Sequence, residues 1–487
     1  MKVAFATSEA VPFASTGGLG EVAHALPAAL KAGGVDVIRI MPMYRQVIEG
    51  GYELKDTGLR LRIPVGFRMH IAEIWQTQHE PVPTFFVRRD EYFDRRALYS
   101  LPERDYTDNL ERFVFFQKSV VALLDAMGWS ADIVHCNDWT TGLIPLYLRH
   151  GISGTGRSGR ERSVFTIHNL AYQGIFPGAE FPTTNLPFSC FTIQGMEFFG
   201  NLNCLKAGLT SAHQVTTVSP SYAEEIQAQG KGFGLEGVLR GLGSHLTGLL
   251  NGADYASWNP ETDPYISTSF SADHLAGKGA CRSSLMKATG WTDHPEIPIL
   301  GMVSRLVSDK GMDLLEAAME RITAMPFRLV LLGSGQEDWE KESLKWMAAW
   351  PDRVHVEIGY NVRHAHRIQA GCDFFLMPSA REPGGLSQLY AMKYGTIPVV
   401  HAVGGLKDTV SDLSQDGQSG NGLVFEEYTS DALLACLERA MELYRRGASF
   451  LETVRSRIMK EDHSWDKSAR SHIGMYERVI ANSSRPG

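Results

Sequence analysis

Hydrophobic residues occur along this chain in short runs that alternate with segments of helical periodicity. A run over residues 2–7 is followed by apolar positions at three- and four-residue steps over 19–31, and a second run covers 35–41. Further strands are predicted over 132–136, 163–168 and 214–218. Ser221 and Glu224 form a capping-box pattern, which predicts that a helix starts after the last of these strands.

The same alternation restarts after about residue 295. Its predicted strands cover 297–303, 328–332, 354–358, 373–377 and 397–400. Because parallel strands need crossover helices on both faces of their sheet, two such series predict two doubly wound α/β domains. Ligands of these sheets bind beyond the carboxyl ends of the strands, so two Rossmann-like domains facing across a cleft would place a site between them.

Composition narrows the classes of function. The 487-residue chain is 44% hydrophobic and 21% charged, and no apolar run approaches the roughly 18 residues that cross a bilayer. Its 47 Lys and Arg residues against 55 Asp and Glu give a formal net charge of -8, which leaves no basic surplus for a nucleic acid. The six cysteines form no C-x-x-C pair and the N-terminus lacks a signal-peptide pattern, so we expect reduced thiols in a cytoplasmic protein.

A glycine loop follows the first predicted strand. Residues 15–20 read Ser-Thr-Gly-Gly-Leu-Gly and open onto the first predicted helix. Backbone N–H groups at Gly17 and Gly18 could hold a phosphate or let a ligand approach the main chain closely. The spacing differs from both G-x-G-x-x-G and the Walker loop, so a tight strand-to-helix turn is the alternative interpretation.

Two basic residues follow the first strand of the second series. Arg305 comes just after that strand and Lys310 lies before the next predicted helix. A guanidinium and an ammonium at one sheet edge could neutralise a diphosphate. The alternative is that both are solvated surface residues.

The segment that begins at Glu382 is more informative. Glu382 lies between a predicted strand and a helix, and Pro383, Gly384, Gly385 and Leu386 follow it. One carboxylate and several free N–H groups would therefore face the same ligand, and the carboxylate could accept hydrogen bonds from sugar hydroxyls. An acidic residue that interacts only with the dipole of its own helix is the alternative.

Polar residues also end two strands of the first series. His168 ends the strand over 163–168, and His135 and Asp138 belong to a His-Cys-Asn-Asp-Trp segment at the end of the strand before it. Such side chains beside aromatic rings suit a polyhydroxylated ligand, although a histidine at a strand end is often only structural. No G-x-S-x-G or H-E-x-x-H motif occurs, so a hydrolase has little support.

Together these segments resemble the bacterial glycogen synthases and plant starch synthases, a family of ADP-glucose-dependent retaining glucosyltransferases. The resemblance covers almost the whole chain. Its matching blocks are residues 8–9, 16–19, 105–109, 111–113, 135–142, 165–176, 218–223, 250–252, 258–260, 304–311 and 382–395.

The resemblance implies a GT-B architecture of two Rossmann-like domains. The implied parts are an N-terminal, acceptor-side domain over 1–252, a nucleotide-sugar-binding domain over 253–463, and a terminal helix over 464–487 that returns to the first domain. That terminal segment carries apolar positions at helical spacing, at Trp465, Ala469, His472, Ile473, Tyr476 and Ile480.

The implied reaction transfers glucose from ADP-glucose to the non-reducing 4-hydroxyl of an α-1,4-glucan with retention of configuration. Arg305 and Lys310 would stabilise the departing diphosphate beside the loop at Ser15, Gly17 and Gly18. His168 would contact the donor glucose, and Glu382, with the glycines that follow it, would bind the sugar. Tyr360 would lie against adenine, and Asp138 and Asn251 would border the glucose and the acceptor. Neither a cofactor nor a metal is expected.

Three positions depart from the family pattern. The family usually has a basic residue at Ser15, an aromatic residue at Arg381 and a cysteine at Gly384. Arg381 could supply the charge that Ser15 lacks. Two alternatives stay open: a transferase of the same fold that uses UDP-glucose or another donor, and a glucan-binding paralogue without catalysis. Oligomeric state, chain-length preference and regulation are not predicted.

Overall fold

The computed structural model describes residues 1–77, 81–101, 104–153 and 161–482. The chain forms two compact units, Met1–Leu250 with Trp465–Gly487 as unit 1 and Asn251–Ser464 as unit 2. No helix among the described residues is long and apolar enough to span a membrane. All six cysteines are buried, and none of them forms a disulfide.

Unit 1 is built on a twisted, mostly parallel sheet. Its strands and those of two small accessory sheets are β1 (Lys2–Ala6), β2 (Asp36–Pro42), β3 (Lys55–Val65), β4 (Arg68–Thr77), β5 (Thr84–Arg88), β6 (Ser100–Leu101), β7 (Arg104–Asp105), β8 (Ile133–Asn137), β9 (Arg162–Ile167), β10 (Ile175–Pro177), β11 (Glu197–Phe198), β12 (Asn201–Asn203), β13 (Gln214–Thr217) and β14 (Leu246–Gly248). Within the described residues the main sheet has nine strands in the order β14-β13-β9-β8-β1-β2-β5-β4-β3.

The strands of unit 1 alternate with helices along the chain. The helices are α1 (Gly18–Ala32), α2 (Arg45–Glu49), α3 (Asp90–Phe93), α4 (Asn109–Met127), α5 (Ile144–His150), α6 (Cys204–Ser211), α7 (Pro220–Glu225) and α8 (Glu236–Leu242). Helix α1 buries Val22, Ala23, Leu26 and Leu30 on one face, as its periodicity predicts, and it tolerates Pro27 inside. The predicted helix start near Ser221 is wrong by two residues, because the side chain of Ser219 caps α7 by accepting the N–H of Tyr222.

Nine of the fourteen strands described in unit 1 were not predicted. Strands β3, β4 and β5 form an antiparallel extension at one edge of the parallel sheet. In β3 the polar and apolar positions alternate with a period of two, which is the signal that would have identified a half-buried strand.

Unit 2 contains a wholly parallel sheet. Its strands are β15 (Ile299–Val303), β16 (Arg328–Gly333), β17 (Val354–Ile358), β18 (Phe374–Met377), β19 (Ile397–His401) and β20 (Leu423–Phe425). Its helices are α9 (Ala276–Thr289), α10 (Met312–Ala324), α11 (Glu337–Ala349), α12 (Val362–Gly371), α13 (Ser387–Lys393), α14 (Gly404–Thr409), α15 (Ser430–Arg445) and α16 (Ala448–Met459). The sheet order is β17-β16-β15-β18-β19-β20, the order of a dinucleotide-binding fold. The prediction of two Rossmann-like doubly wound α/β units is therefore confirmed.

The last helix, α17 (Trp465–Ala481), belongs to unit 1 and packs on α1. The hydroxyl of Tyr476 lies 2.6 Å from Nδ1 of His135 in the sheet, and Ser468 donates to the carbonyl of Leu250 at 2.6 Å. Helical spacing predicts a buried Ile480, but Ile480 is exposed and Val479 is buried in its place.

Candidate active site

In each main sheet the order in which successive strands are added reverses at one pair of neighbouring strands, which is called the switch point. In unit 1 this switch point lies between β1 and β8, and in unit 2 it lies between β15 and β18. The loops at the carboxyl ends of such a pair diverge to opposite faces of the sheet and leave a crevice where ligands bind. The candidate residues in the loops after β1, β8, β15 and β18 therefore lie where this fold places its sites.

The glycine loop after β1 is held by a carboxylate from the same strand end. Glu9 is buried, and its Oε2 accepts the N–H of Thr16 at 2.6 Å while its Oε1 accepts the Thr16 hydroxyl at 2.9 Å. Tyr99 donates its hydroxyl hydrogen to the same Oε1 at 2.6 Å. The sequence identified Glu9 only as part of a matching block, and its spacing from Thr16 carries no signal for this role.

The side chain of Ser15 turns back onto this loop. Its Oγ lies 3.1 Å from the carbonyl oxygen of Gly17 and 3.3 Å from the Gly17 nitrogen, and it occupies the space that a Cβ at Gly20 would need. A Cβ at Gly17 or Gly18 would meet no atom of the described chain within 4 Å. Packing inside the protein therefore does not require glycine at these two positions, and the space beside them is open to a ligand.

Asp138, directly after β8, has an unusual backbone. Its φ of 56° and ψ of -178° fall in a region that only glycine adopts readily, at a cost on the order of 1–3 kcal/mol. The conformation points the carboxylate at the end of β9, where Oδ1 accepts the N–H of His168 at 2.8 Å. Burial raises the pKa of Asp138 to about 7, although the N–H groups of His168 and Asn169 act in the opposite direction.

His168 lies at the carboxyl end of β9. Its Nε2 is 2.9 Å from Oδ1 of Asn137, the last residue of β8. Burial, reinforced by the neighbouring His472, lowers the pKa of His168 to about 3, so the ring is neutral at physiological pH. The structure thus brings Asp138 and His168 together in unit 1.

In unit 2 Lys310 and Glu382 meet at the switch point. Nζ of Lys310, which precedes α10, lies 2.5 Å from Oε2 of Glu382 in the loop after β18. Ser379 donates to the same carboxylate oxygen at 3.2 Å. Arg305, after β15, is exposed, and its guanidinium has no hydrogen-bond partner in the part of the chain that the structure describes.

The loop over residues 382–386 connects β18 to α13. Gly385 has a φ of 64°, which favours glycine, and Gly384 is in close backbone contact with Gly405 at the start of α14. Leu386 directly precedes α13 and is half-buried. The glycines therefore allow two helix-start loops to meet beside Glu382, which is itself 8% exposed.

Three other candidate residues have different surroundings. Arg381 pairs with Asp309 of its own unit, with Nη2 at 2.6 Å from Oδ1, and both side chains are about half exposed. Tyr360 follows β17 and is 69% exposed, a ring position that a planar ligand could cover. Asn251 is the first residue of unit 2 and is half-buried. Among the described residues no cluster of three His, Cys, Asp or Glu side chains could hold a metal ion.

Comparison with known proteins decides the family. Residues 2–241 match the family described as starch synthase catalytic domain, and residues 292–457 match glycosyl transferases group 1. The chain is 40% identical over 480 residues to a glycogen synthase of Syntrophotalea carbinolica, covering 99% of both chains, and 41% identical over 485 residues to glycogen synthase 2 of Geobacter sulfurreducens, covering 100% of both. The chain belongs to the glycogen synthase family.

Solved structures agree with this glycogen synthase assignment. The catalytic domain of starch synthase IV from Arabidopsis thaliana, bound to ADP and acarbose, superimposes with a TM-score of 0.90 at 30% identity over 99% of both chains. Sucrose-phosphate synthase from Thermosynechococcus elongatus, at 19% identity and a TM-score of 0.62 over 99% of this chain and 100% of its own, shares the fold. The resemblance found in the sequence is therefore confirmed, together with the two-domain glycosyltransferase fold.

Proposed function

We propose that this glycogen synthase family member transfers glucose from ADP-glucose to the non-reducing 4-hydroxyl of an α-1,4-glucan and retains the anomeric configuration. Family membership over the full length supports the reaction class. The observation that carries the proposal within the chain is the Lys310–Glu382 pair at the switch point of unit 2. The Arg305 guanidinium, which has no hydrogen-bond partner among the described residues, lies at the same sheet edge. Cations and a carboxylate at one crevice suit a ligand that is both a diphosphate and a sugar.

The main chemical demand of this transfer is negative charge that develops on the departing diphosphate. Cations that are already in place stabilise such charge most effectively, because they need no reorganisation during the reaction. Arg305 offers a fork of donors, and Lys310 retains N–H donors for a phosphate while one of them serves Glu382. In this proposal these two residues bind the diphosphate. The hydroxyls of the donor glucose are bound by Glu382, Gly384, Gly385 and Leu386.

The residues of unit 1 complete the proposal. The open space beside Gly17 and Gly18 supports a close approach of the donor to this loop, and the neutral His168 and the carboxyl of Asp138 supply polar groups for the sugar. In this proposal Tyr360 lies against the adenine ring, and Asn251 borders the donor glucose and the acceptor. The chain has no described helix that could cross a membrane, and we propose a cytoplasmic enzyme without a nucleic-acid partner.

One assay separates the proposal from its alternatives. Purified protein is incubated with glycogen and either ADP-glucose or UDP-glucose, and release of ADP or UDP is measured together with incorporation of labelled glucose into glycogen. We expect ADP release matched by incorporation. Preferential UDP release would assign a different donor, and glycogen binding without release of either nucleotide would indicate a paralogue that has lost catalysis.

A further inference from the structure

The side chain of Asn137 bridges two strands beneath His168. Its Nδ2 donates to the carbonyl oxygen of Ala6 in β1 at 2.9 Å, and its Oδ1 lies 2.9 Å from Nε2 of His168. Asn137 is fully buried, so no bulk water competes for either contact. The amide therefore connects the two strands of the unit 1 switch point to the histidine at the end of β9.

The partners of this amide determine which way it faces. A carbonyl oxygen only accepts hydrogen bonds, so the Asn137 atom beside Ala6 must be the nitrogen. Turning the amide over would place two acceptor oxygens against each other and leave a buried carbonyl unpaired, which costs about 1–3 kcal/mol. The oxygen of Asn137 is thereby directed at His168.

The same logic determines where the proton of His168 lies. An amide oxygen accepts, so Nε2 must carry the hydrogen and donate it. A neutral imidazole carries only one such hydrogen, which leaves Nδ1 with an exposed lone pair. Nδ1 forms no hydrogen bond with any residue that the structure describes.

We propose that Asn137 is a positioning residue that holds His168 in the Nε2–H form, so that Nδ1 accepts a hydrogen bond from a hydroxyl of the donor sugar. This inference rests on the proposed function, because it takes the ligand at His168 to be a sugar. It adds a direction to that contact: the sugar hydroxyl donates. An ADP-glucose analogue in which the corresponding group cannot donate a hydrogen bond is therefore a poorer substrate.

The groups around His168 support this assignment. The Asp138 carboxylate accepts the backbone N–H of His168 and not its ring. His135 in β8 and His472 in α17 are buried nearby, and each is held by a neutral partner, His135 by Tyr476 and Thr166, and His472 by the carbonyl of Ser468. No described carboxylate pairs with the His168 ring, so nothing in its surroundings favours the doubly protonated form.

The first experiment determines the tautomer of His168 directly. Full-length protein with ¹⁵N-labelled histidine is examined by NMR, and the His168 signals are assigned by their loss in His168→Gln. We expect a protonated, pyrrole-type Nε2 and a bare, pyridine-type Nδ1 in the wild-type protein. A protonated Nδ1 beside a bare Nε2 would overturn the inference whatever the activity of the variants.

The variant Asn137→Asp tests the functional consequence. A carboxylate beside Nε2 favours the imidazolium, so Nδ1 becomes a donor and kcat/KM for ADP-glucose should fall by about tenfold or more at neutral pH and recover as the pH rises. The matched control is Thr184→Val, which removes a buried hydrogen bond to the carbonyl of Phe181 in unit 1 without touching His168 or its neighbours. It should leave both the His168 signals and kcat/KM unchanged. A flat pH profile in Asn137→Asp whose NMR spectrum shows a doubly protonated His168 ring counts against the positioning role.

A set of ADP-glucose analogues with one hydroxyl at a time replaced by fluorine locates the contact. Fluorine accepts hydrogen bonds weakly and does not donate, so one analogue should lose more activity with the wild-type enzyme than with Asn137→Asp. The absence of such a crossover at every position would overturn the hydroxyl contact. A wild-type protein that transfers no glucose would instead refute the proposed function, and NMR would still decide the tautomer.

Discussion

Lys310 and Glu382 form a close ion pair, with Nζ 2.5 Å from Oε2, in which the lysine side chain is 19% exposed and the glutamate 10%. The pair joins the loops that follow β15 and β18. Its members therefore act as a unit: removing either one leaves the other without its charge partner and frees it to move.

Alanine at either position should impair turnover strongly. We expect Lys310→Ala and Glu382→Ala each to lower kcat by about a hundredfold or more, on the order of 3 kcal/mol, because each removes a group that acts as charge develops on ADP and the sugar. The double variant should be much less than additive, since the first substitution already disorders the second group. Steady-state kinetics with ADP-glucose and glycogen measures the cycle. A fully additive cycle would show that the two residues act independently.

Arg305 provides a comparison, because it has no partner among the described residues. Arg305→Ala should lower kcat by about a hundredfold while leaving stability nearly unchanged, since no hydrogen bond or ion pair to a described residue is lost. The matched control is Arg321→Ala, which removes an exposed arginine of the same unit that pairs with Asp431. The control should alter neither quantity. A change confined to KM would mean that Arg305 binds the substrate and the transition state equally well.

Ser15 lies on the glycine loop and carries no charge at a position where the family usually has a basic residue. Ser15→Lys should raise kcat/KM for ADP-glucose by about threefold to tenfold, because a partly exposed cation contributes on the order of 0.5–1.5 kcal/mol to holding a phosphate. Ser15 is half-buried, and its side chain occupies the space that a Cβ at Gly20 would need. The gain should shrink as salt is added.

The control for this prediction is Ser15→Gln, which lengthens the side chain without a charge and should give no gain. Arg381 pairs with Asp309, so the idea that Arg381 replaces the missing cation is testable by combining Ser15→Lys with Arg381→Phe. Additive effects of the two substitutions would refute compensation by Arg381.

The buried histidines of unit 1 predict sensitivity to acid. Burial lowers the pKa of His472 to about 4, that of His168 to about 3 and that of His135 well below its usual value. The unfolded chain takes up these protons near pH 6.5 and the folded chain does not, so the stability that these histidines contribute is complete above about pH 6.5 and is lost as the pH falls. Asp138, whose pKa is raised to about 7, acts in the opposite sense between about pH 7 and 4.

His472→Gln isolates the contribution that protonation of one histidine makes to the pH dependence of stability. Glutamine does not titrate, so the slope of unfolding free energy against pH between about 4 and 6.5 should decrease by about 1.4 kcal/mol per pH unit. Urea unfolding at a series of pH values measures the slope. The exposed His274→Gln serves as the control, and a His472→Gln curve parallel to the wild type would contradict the prediction.

The sequence by itself determined most of the parallel strands, the first helix and the family. These features are local: the buried face of α1 repeats every three or four residues, and strands β1, β2, β8 and β9 are short apolar runs whose limits the patterns place to within a residue or two. The matching blocks also named the residues that gather at the two switch points. The alternation of polar and apolar positions in β3 indicates a strand, but β5 is buried on both faces and shows no such alternation.

Only the tertiary structure decided which side chains meet. Lys310 and Glu382 are 72 positions apart, and Asn137 and Ala6 are 131 apart, so no local pattern could pair them. Their contacts follow from the order of the strands, which brings β15 beside β18 and β1 beside β8. The orientation of the Asn137 amide, and with it the proton on His168, depends on a carbonyl oxygen in a neighbouring strand, because hydrogen-bond direction is set by the partners that folding brings together.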